Sequence, residues 1–296
     1  MSRKTPKPRW LSRRIPRPGL TSHVSELLQD LSLHTVCQAA QCPNQSECFG
    51  RGTATFLLLG PNCTRRCTFC AVGKGKMAPP QRTEPDRIAE AVARMGLTFC
   101  VLTMVTRDDL DDGGAEHVAR TVSALRTRCP DVRIEVLVSD LGGSKAAQTT
   151  VLEIQPDVFN HNIETVSRLY PEVRPQADYR RSLDLLAKAD AFRPRPVTKS
   201  GMMLGLGETR DEILETMDGL RAVGCELLTL GQYLAPSEKH HPVVRYVPPE
   251  EFDELKTQAQ ARGFSSVASG PYVRSSYKAE ELFNLASKGN NWDKGP

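Results

Sequence analysis

From residue 53 onward, short apolar runs alternate with longer stretches in which apolar positions recur every three or four residues. The runs at 53–59, 98–105, 132–139, 157–160, 197–204 and 226–230 predict strands, and the stretches at 85–95, 115–128, 179–189 and 209–223 predict helices. Several of the helical stretches open on acidic residues, which suit a helix N-terminus. The spacing of roughly 25 to 45 residues between runs is that of successive βα units, and six in a row predict a parallel sheet with helices outside it. In a barrel of this kind the strand ends and following loops converge on one face. The polar clusters just after the runs would then meet there: the cysteines beyond Leu59, Arg107-Asp108-Asp109, Asn160-His161-Asn162, residues 205–208, and Gln232-Tyr233.

Length and composition narrow the class without changing this picture. At 296 residues, 39% hydrophobic and 25% charged, the chain suits one large α/β barrel or two smaller domains. Its longest apolar stretches, such as 56–59, are far too short to span a membrane. No apolar segment follows the first methionine, so a secretory leader is not expected, and nine cysteines point to metal-bound thiolates in a reducing, cytoplasm-like compartment rather than to disulfides. The formal charge of +4 resides in the first 19 residues, where Arg3, Lys4, Lys7, Arg9, Arg13, Arg14 and Arg17 stand with four prolines and no acid. The remainder carries −3, which argues against a nucleic-acid-binding body and for a solvated, Pro-rich arm.

Six cysteines fall into two triplets, Cys37-x4-Cys42-x5-Cys48 and Cys63-x3-Cys67-x2-Cys70, while Cys100, Cys129 and Cys225 stand alone as inert, mostly buried thiols. Structural zinc wants four closed ligands, usually as two close pairs, and neither triplet has that spacing. Three thiolates suit a 4Fe-4S cluster with one iron left for a substrate, a cofactor or an unusual protein ligand. The alternative is one mixed zinc site pooled from both triplets, or thiols that are only buried.

The second triplet, Cys63-Thr64-Arg65-Arg66-Cys67-Thr68-Phe69-Cys70, follows the first predicted strand and has an aromatic residue before its last cysteine. It resembles the signature of the radical S-adenosylmethionine (SAM) superfamily. The first triplet, within Val36-Cys37-Gln38-Ala39-Ala40-Gln41-Cys42-Pro43-Asn44-Gln45-Ser46-Glu47-Cys48, looks like the auxiliary-cluster motif of lipoyl synthases. Arg107-Asp108-Asp109-Leu110 with Asp112-Gly113-Gly114-Ala115, then 156–165, 199–209, Gly231-Gln232-Tyr233-Leu234 and 269–277 resemble that family in order. The likeness runs from about Lys7 to Leu285. It departs at Leu137-Val138-Ser139-Asp140-Leu141, where the family usually has Ile-Pro-Asp-Phe, and at Thr103-Met104-Val105-Thr106; neither touches a cluster ligand.

The resemblance implies a partial (β/α)6 TIM-like barrel over 53–265, an N-terminal extension over 1–52 carrying the auxiliary triplet, and a C-terminal segment over 266–296 closing over that cluster. It implies two 4Fe-4S clusters. Cys63, Cys67 and Cys70 would hold the one that cleaves SAM to a 5′-deoxyadenosyl radical. Cys37, Cys42, Cys48 and Ser276 would hold the one that surrenders sulfur. The substrate would be an octanoyl chain on a lysine of a lipoyl carrier domain, such as the glycine cleavage H protein or a 2-oxoacid dehydrogenase E2 domain. Two SAM molecules would be used per lipoyl group, for carbons 6 and 8, with a ferredoxin or flavodoxin as electron donor. For SAM the candidates are Phe69 beside the adenine, and Asn160, Asn162, Arg174 and Gln232 for its polar groups. Lys74 and Lys76 or the early basic residues would steer an acidic carrier. No catalytic acid or base is expected, because an unactivated C–H bond has no acidic proton.

Ser276 lies in Arg274-Ser275-Ser276-Tyr277, and local sequence alone reads both serines as caps of a helix starting near Lys278. Metal coordination and the cation of Arg274 would favour its alkoxide. Two rivals remain at this point. An enzyme similar to biotin synthase would share the Cys63 triplet but lack the Cys37 triplet and the Arg-Ser-Ser-Tyr end. A zinc module binding RNA or DNA would need a basic folded body.

Overall fold

All six predicted strands form, in chain order, in one parallel sheet: β1 (Thr55–Leu58), β2 (Phe99–Met104), β3 (Arg133–Leu137), β4 (Val158–Asn160), β5 (Val197–Leu204) and β6 (Leu227–Gln232). The coordinates, a computed structural model, describe residues 6–12 and 22–287. A seventh strand, β7 (Ser266–Gly270), adds to β6 with Leu228 beside Val267, extending the expected six. Helices are α1 (Ser22–Asp30), α2 (Val36–Ala39), α3 (Gln45–Gly50), α4 (Glu84–Met95), α5 (Ala115–Arg128), α6 (Lys145–Glu153), α7 (Tyr170–Val173), α8 (Tyr179–Ala191), α9 (Arg210–Ala222), α10 (Pro249–Ala261) and α11 (Ala279–Ser287). Of the basic arm, Arg3, Lys4, Arg13, Arg14 and Arg17 lie outside the described residues, and Lys7 and Arg9 are exposed.

Strands covered on both faces read as continuous apolar runs, and β1 and β2 are buried at every position. Local chemistry fixes the helix ends. Thr209 and Glu212 form a reciprocal capping box on α9, Asp178 caps α8, and Gly96 ends α4 in the left-handed conformation. Because each strand pairs with its sequence neighbour, the sheet curls as a singly wound partial barrel. Among the described residues β1 and β7 do not pair, so it stays open.

The two chain ends fill the opening. The segment before α2 bridges to β1, Thr35 opposite Phe56, and covers that exposed edge. At the other end, Ala279, Leu282, Phe283 and Ala286 of α11 pack on Phe99, Val101, Val158, Val197 and Leu227, which line the strand starts. The Phe99 and Phe283 ring centroids are 5.7 Å apart. Above this apolar plug lies a charged layer: the Lys199 ammonium meets both oxygens of the Glu135 carboxylate at 2.9 and 2.8 Å, and neither residue is exposed. Above that layer a cavity opens at the strand ends.

Candidate functional site

The first cysteine-bearing loop begins at a forced corner. Leu59 follows β1 with φ of 70°, a region that only glycine enters freely, and Gly60 continues at 90°. Buried Glu84 holds the corner, accepting from the Leu59 N–H at 2.9 Å and pairing with His117 Nε2 at 2.6 Å. Thr64 N–H then donates to the Thr106 carbonyl at 3.0 Å, and Thr68 N–H to that of Val173 at 3.0 Å. His241 N–H returns a bond to the Thr68 carbonyl at 2.9 Å. Arg65, almost wholly buried, forks onto Asp108 at 2.8 and 2.9 Å and reaches Asp140 at 2.6 Å. The loop is thus tied to the segments after β2 and β3, to the end of α7 and to His241 beyond β6.

Cys37 stands on α2, Cys42 on the following turn and Cys48 on α3. The Cys42 N–H donates to the Cys37 carbonyl at 2.9 Å, which folds the first two together. Burial pushes the Cys48 thiol up to about 12, and the neighbouring thiols of Cys37 and Cys42 push the same way. Burial likewise raises Cys37, and pushes Cys70 up to about 11 against the pull of Lys74. Such thiols stay protonated alone and exchange the proton for iron when a cluster is delivered. Among the described residues no three His, Cys, Asp or Glu are grouped to hold one metal ion. A four-iron cluster does not ask for that, since each thiolate takes a different iron. Cys100 and Cys225 are fully buried, as small hydrophobes, while half-buried Cys129 points its thiol at the Ala89 carbonyl.

Both triplets line a single cavity of about 500 Å³, together with Ser276, Phe69, Asn162, Arg174 and Gln232. Asn160 is not among the lining residues; its amide is turned to Glu135 and Ser275. Arg174 is buried, donating to the carbonyls of Asn162 and Ile163, with its Nε left without a hydrogen-bond partner. Such an orphaned donor suits a carboxylate ligand. Gln232 is spent on backbone: its amide nitrogen donates to Leu204, Tyr233 and Arg245, and its oxygen accepts from Val247. The Gly205–Leu206 turn is likewise filled from within, because Glu208 accepts from both N–H groups at 2.6 and 2.9 Å. Lys74 ties its ammonium to the Arg65 carbonyl at 2.9 Å, whereas Lys76 is exposed.

The two serines part company. Ser275 bonds to asparagines rather than capping a helix, while Ser276 makes no side-chain hydrogen bond among the described residues and faces the cavity. Arg274 Nη1 donates to the backbone carbonyls of Pro271 and Val273. This turn rests directly on β6, where a Cβ on Gly231 would stand 2.1 Å from the Val273 oxygen.

Carboxylates near the cavity are already engaged: Asp109 by Arg107 at 2.8 Å, and Asp108 and Asp140 by Arg65. Sequence reasoning gave no role to Arg65 or Glu164, and named His161 only within the Asn160-His161-Asn162 cluster. Glu164 lines the cavity, and burial raises its pKa. His161 gives its Nδ1 proton to the Val138 carbonyl at 2.8 Å, so its buried Nε2 is an acceptor without a partner.

Burial, aided by the Arg174 cation, pushes His161 down to about 4 from 6.5. Between these values the unfolded chain binds a proton that the native chain refuses, so stability falls as pH is lowered through that window. About 2 kcal/mol should disappear between pH 7 and pH 5. His161→Gln should remove that part of the slope in denaturant unfolding at the two pH values. An unchanged slope would assign the acid sensitivity to other groups.

The radical SAM superfamily model matches residues 57–220. Lipoyl synthase of Acidithiobacillus ferrooxidans is 55% identical over 282 residues, covering 95% of this chain and 89% of that protein. Lipoyl synthase of Caldicellulosiruptor saccharolyticus is 52% identical over 282 residues, covering 95% and 99%. Among solved structures, that of HydG, a maturase of the FeFe-hydrogenase, superposes with a TM-score of 0.58 at 12% identity, over 90% of this chain and 70% of that one, a likeness of fold alone. With a partial barrel carrying its cysteine loop after β1, and identity to these enzymes over nearly its whole length, the chain belongs to the lipoyl synthase family of the radical SAM superfamily.

Proposed function

We propose that this chain inserts sulfur at carbons 6 and 8 of an octanoyl chain held on a lysine of a carrier domain, with an auxiliary 4Fe-4S cluster as the donor. Family membership brings a 4Fe-4S cluster, SAM and a lipoyl-carrier substrate. The finer assignments are ours. Cys63, Cys67 and Cys70 hold the radical-generating cluster, and Cys37, Cys42, Cys48 and Ser276 the auxiliary one. When bound, these groups and two SAM molecules per lipoyl group supply electrons, a radical that breaks a C–H bond, and sulfur.

The chain's own part is binding, orientation and exclusion of water. Phe69, Asn162, Arg174 and Gln232 surround SAM, with the Arg174 Nε offered to its carboxylate and Asn160 standing behind them. The N-terminal extension before the barrel of 53–265 carries the Cys37 triplet, and the C-terminal segment from 266, through its described residues to 287, closes over it. The carriers are glycine cleavage H protein and 2-oxoacid dehydrogenase E2 domains, drawn by exposed cations such as Lys76, and the electron comes from a ferredoxin or flavodoxin in the cytoplasm. No helix among the described residues is long and apolar enough to cross a membrane.

The observation that carries this reading is that both triplets and Ser276 line one cavity. A radical made at one site can then act on a carbon already beside the other. Anaerobically reconstituted protein should contain about eight irons with matching sulfide, four per cluster. About four irons, or stoichiometric zinc, would sink the two-cluster reading.

A further inference from the structure

The Lys199–Glu135 pair is the root of a hydrogen-bond chain with only one self-consistent polarity. Glu135, engaged by the ammonium, is an acceptor toward its other neighbour, and Asn160 Nδ2 donates to it at 2.7 Å. A flipped Asn160 amide would set oxygen against carboxylate, so the nitrogen is fixed on this side. The same nitrogen donates its second proton to Ser275 Oγ at 2.9 Å. The serine hydroxyl, having accepted there, donates onward to Asn162 Oδ1 at 2.8 Å, and Asn162 Nδ2 donates to Glu164 at 3.1 Å. Ser275 is thereby gripped by two residues of the β4 end that lie 115 and 113 positions away in sequence.

We propose that Ser275 is a positioning residue: held by Asn160 and Asn162, it sets the register of the 271–277 turn so that Ser276 faces the Cys37 triplet, and it ties that turn to Asn162 on the SAM side of the cavity. The inference rests on the reading of Ser276 as a cluster ligand. Two features support a register role. Ser275 has both its donor and its acceptor capacity occupied, whereas the next hydroxyl is left for the cavity. The turn can sit this close to β6 only because position 231 is glycine, so it has little room to settle elsewhere. Asn162 is the shared member. Loss of the serine leaves its oxygen without a donor and frees its amide to rotate beside bound SAM.

The test uses reconstituted holoenzyme with Ser275→Ala, Ser275→Thr, Asn160→Ala, Ser276→Ala and the Ser275→Ala/Asn160→Ala double variant. In Ser275→Ala, backbone hydrogen exchange across 271–277 should quicken about tenfold, the scale set by two lost hydrogen bonds. KM for SAM should rise about threefold or more, and lipoyl product per 5′-deoxyadenosine should fall about tenfold. Ser275→Thr, which keeps the hydroxyl, should restore all three, and the double variant should lose less than the sum of the two single ones, because they share the Asn160–Ser275 bond. Ser276→Ala separates the two readings: product formation there defeats the ligand assignment, while the exchange and KM changes at Ser275 stand or fall separately. Wild-type exchange together with an unchanged KM for SAM in Ser275→Ala, or no rescue by threonine, overturns the positioning role.

Discussion

Alanine at Cys37, Cys42 or Cys48 is expected to stop lipoyl formation completely while 5′-deoxyadenosine is still made, and to lower iron from about eight to about four per chain. The structural reason is that the two loops are built from separate supports. The 63–70 loop is fixed by Thr106, Asp108, Asp140 and Val173, none of which touches α2 or α3 through the bonds described above. Removing a thiol from the N-terminal extension therefore leaves the 63–70 loop in place. The reciprocal change, alanine at Cys63, Cys67 or Cys70, should abolish 5′-deoxyadenosine and keep the spectrum of the auxiliary cluster. Lipoyl product from any variant of the first triplet would mean that the sulfur has another source, and 5′-deoxyadenosine from the second set would falsify its assignment.

The largest stability effect is expected at Lys199. Replacing it with methionine strands the Glu135 carboxylate in the barrel interior, with only the Asn160 amide to satisfy it. Breaking a buried pair in this way costs about 3 to 5 kcal/mol, because the remaining charge must be desolvated alone or take up a proton. Glu135→Leu combined with Lys199→Met should recover most of the loss in denaturant unfolding, since apolar pairs of similar volume replace buried ion pairs with little penalty. If the double variant is no better than the single, the layer is held by packing and not by charge. Breaking the solvated Arg180–Asp184 pair should change stability by less than about 1 kcal/mol, which calibrates the comparison.

β1 and β2 were legible because they are buried at every position and are almost wholly apolar, while β3 and β5, which carry Glu135 and Lys199 inside, were legible from their remaining apolar residues and the regular spacing of the units. β7 was not, since Ser266-Val267-Ala268-Ser269-Gly270 offers two apolar side chains and a glycine, and gains its strand geometry only by pairing with β6. At the site, the cysteines were legible because thiolate spacing is local. Arg65 with Asp108 and Asp140, or Lys199 with Glu135, joins residues 43 to 75 positions apart, and nothing near either partner announces the other. Asn160 shows the same limit: its place after β4 was visible, but the downward turn of its amide depends on a glutamate from β3. Equal capping roles for Ser275 and Ser276 were the natural local reading; the family resemblance set Ser276 apart, and the bonds of Ser275 to Asn160 and Asn162 became visible only in the folded chain.

The N-terminal extension and the C-terminal turn also hold each other. Asn44 Nδ2 donates to the Tyr272 carbonyl at 2.7 Å across 228 positions, and the Tyr277 hydroxyl donates to Glu47 at 3.0 Å. During synthesis these two segments cannot meet until the 228 positions between Asn44 and Tyr272 have been made. At ribosomal rates the first partner waits on the order of ten to fifty seconds for the second. Most supports of the 63–70 loop, Thr106, Asp108, Asp140 and Val173, lie nearer in sequence and are made earlier, with His241 added later. Assembly of the two regions thus has a built-in order: the Arg65 fork onto Asp108 and Asp140 can form while Asn44 and Glu47 still wait for Tyr272 and Tyr277.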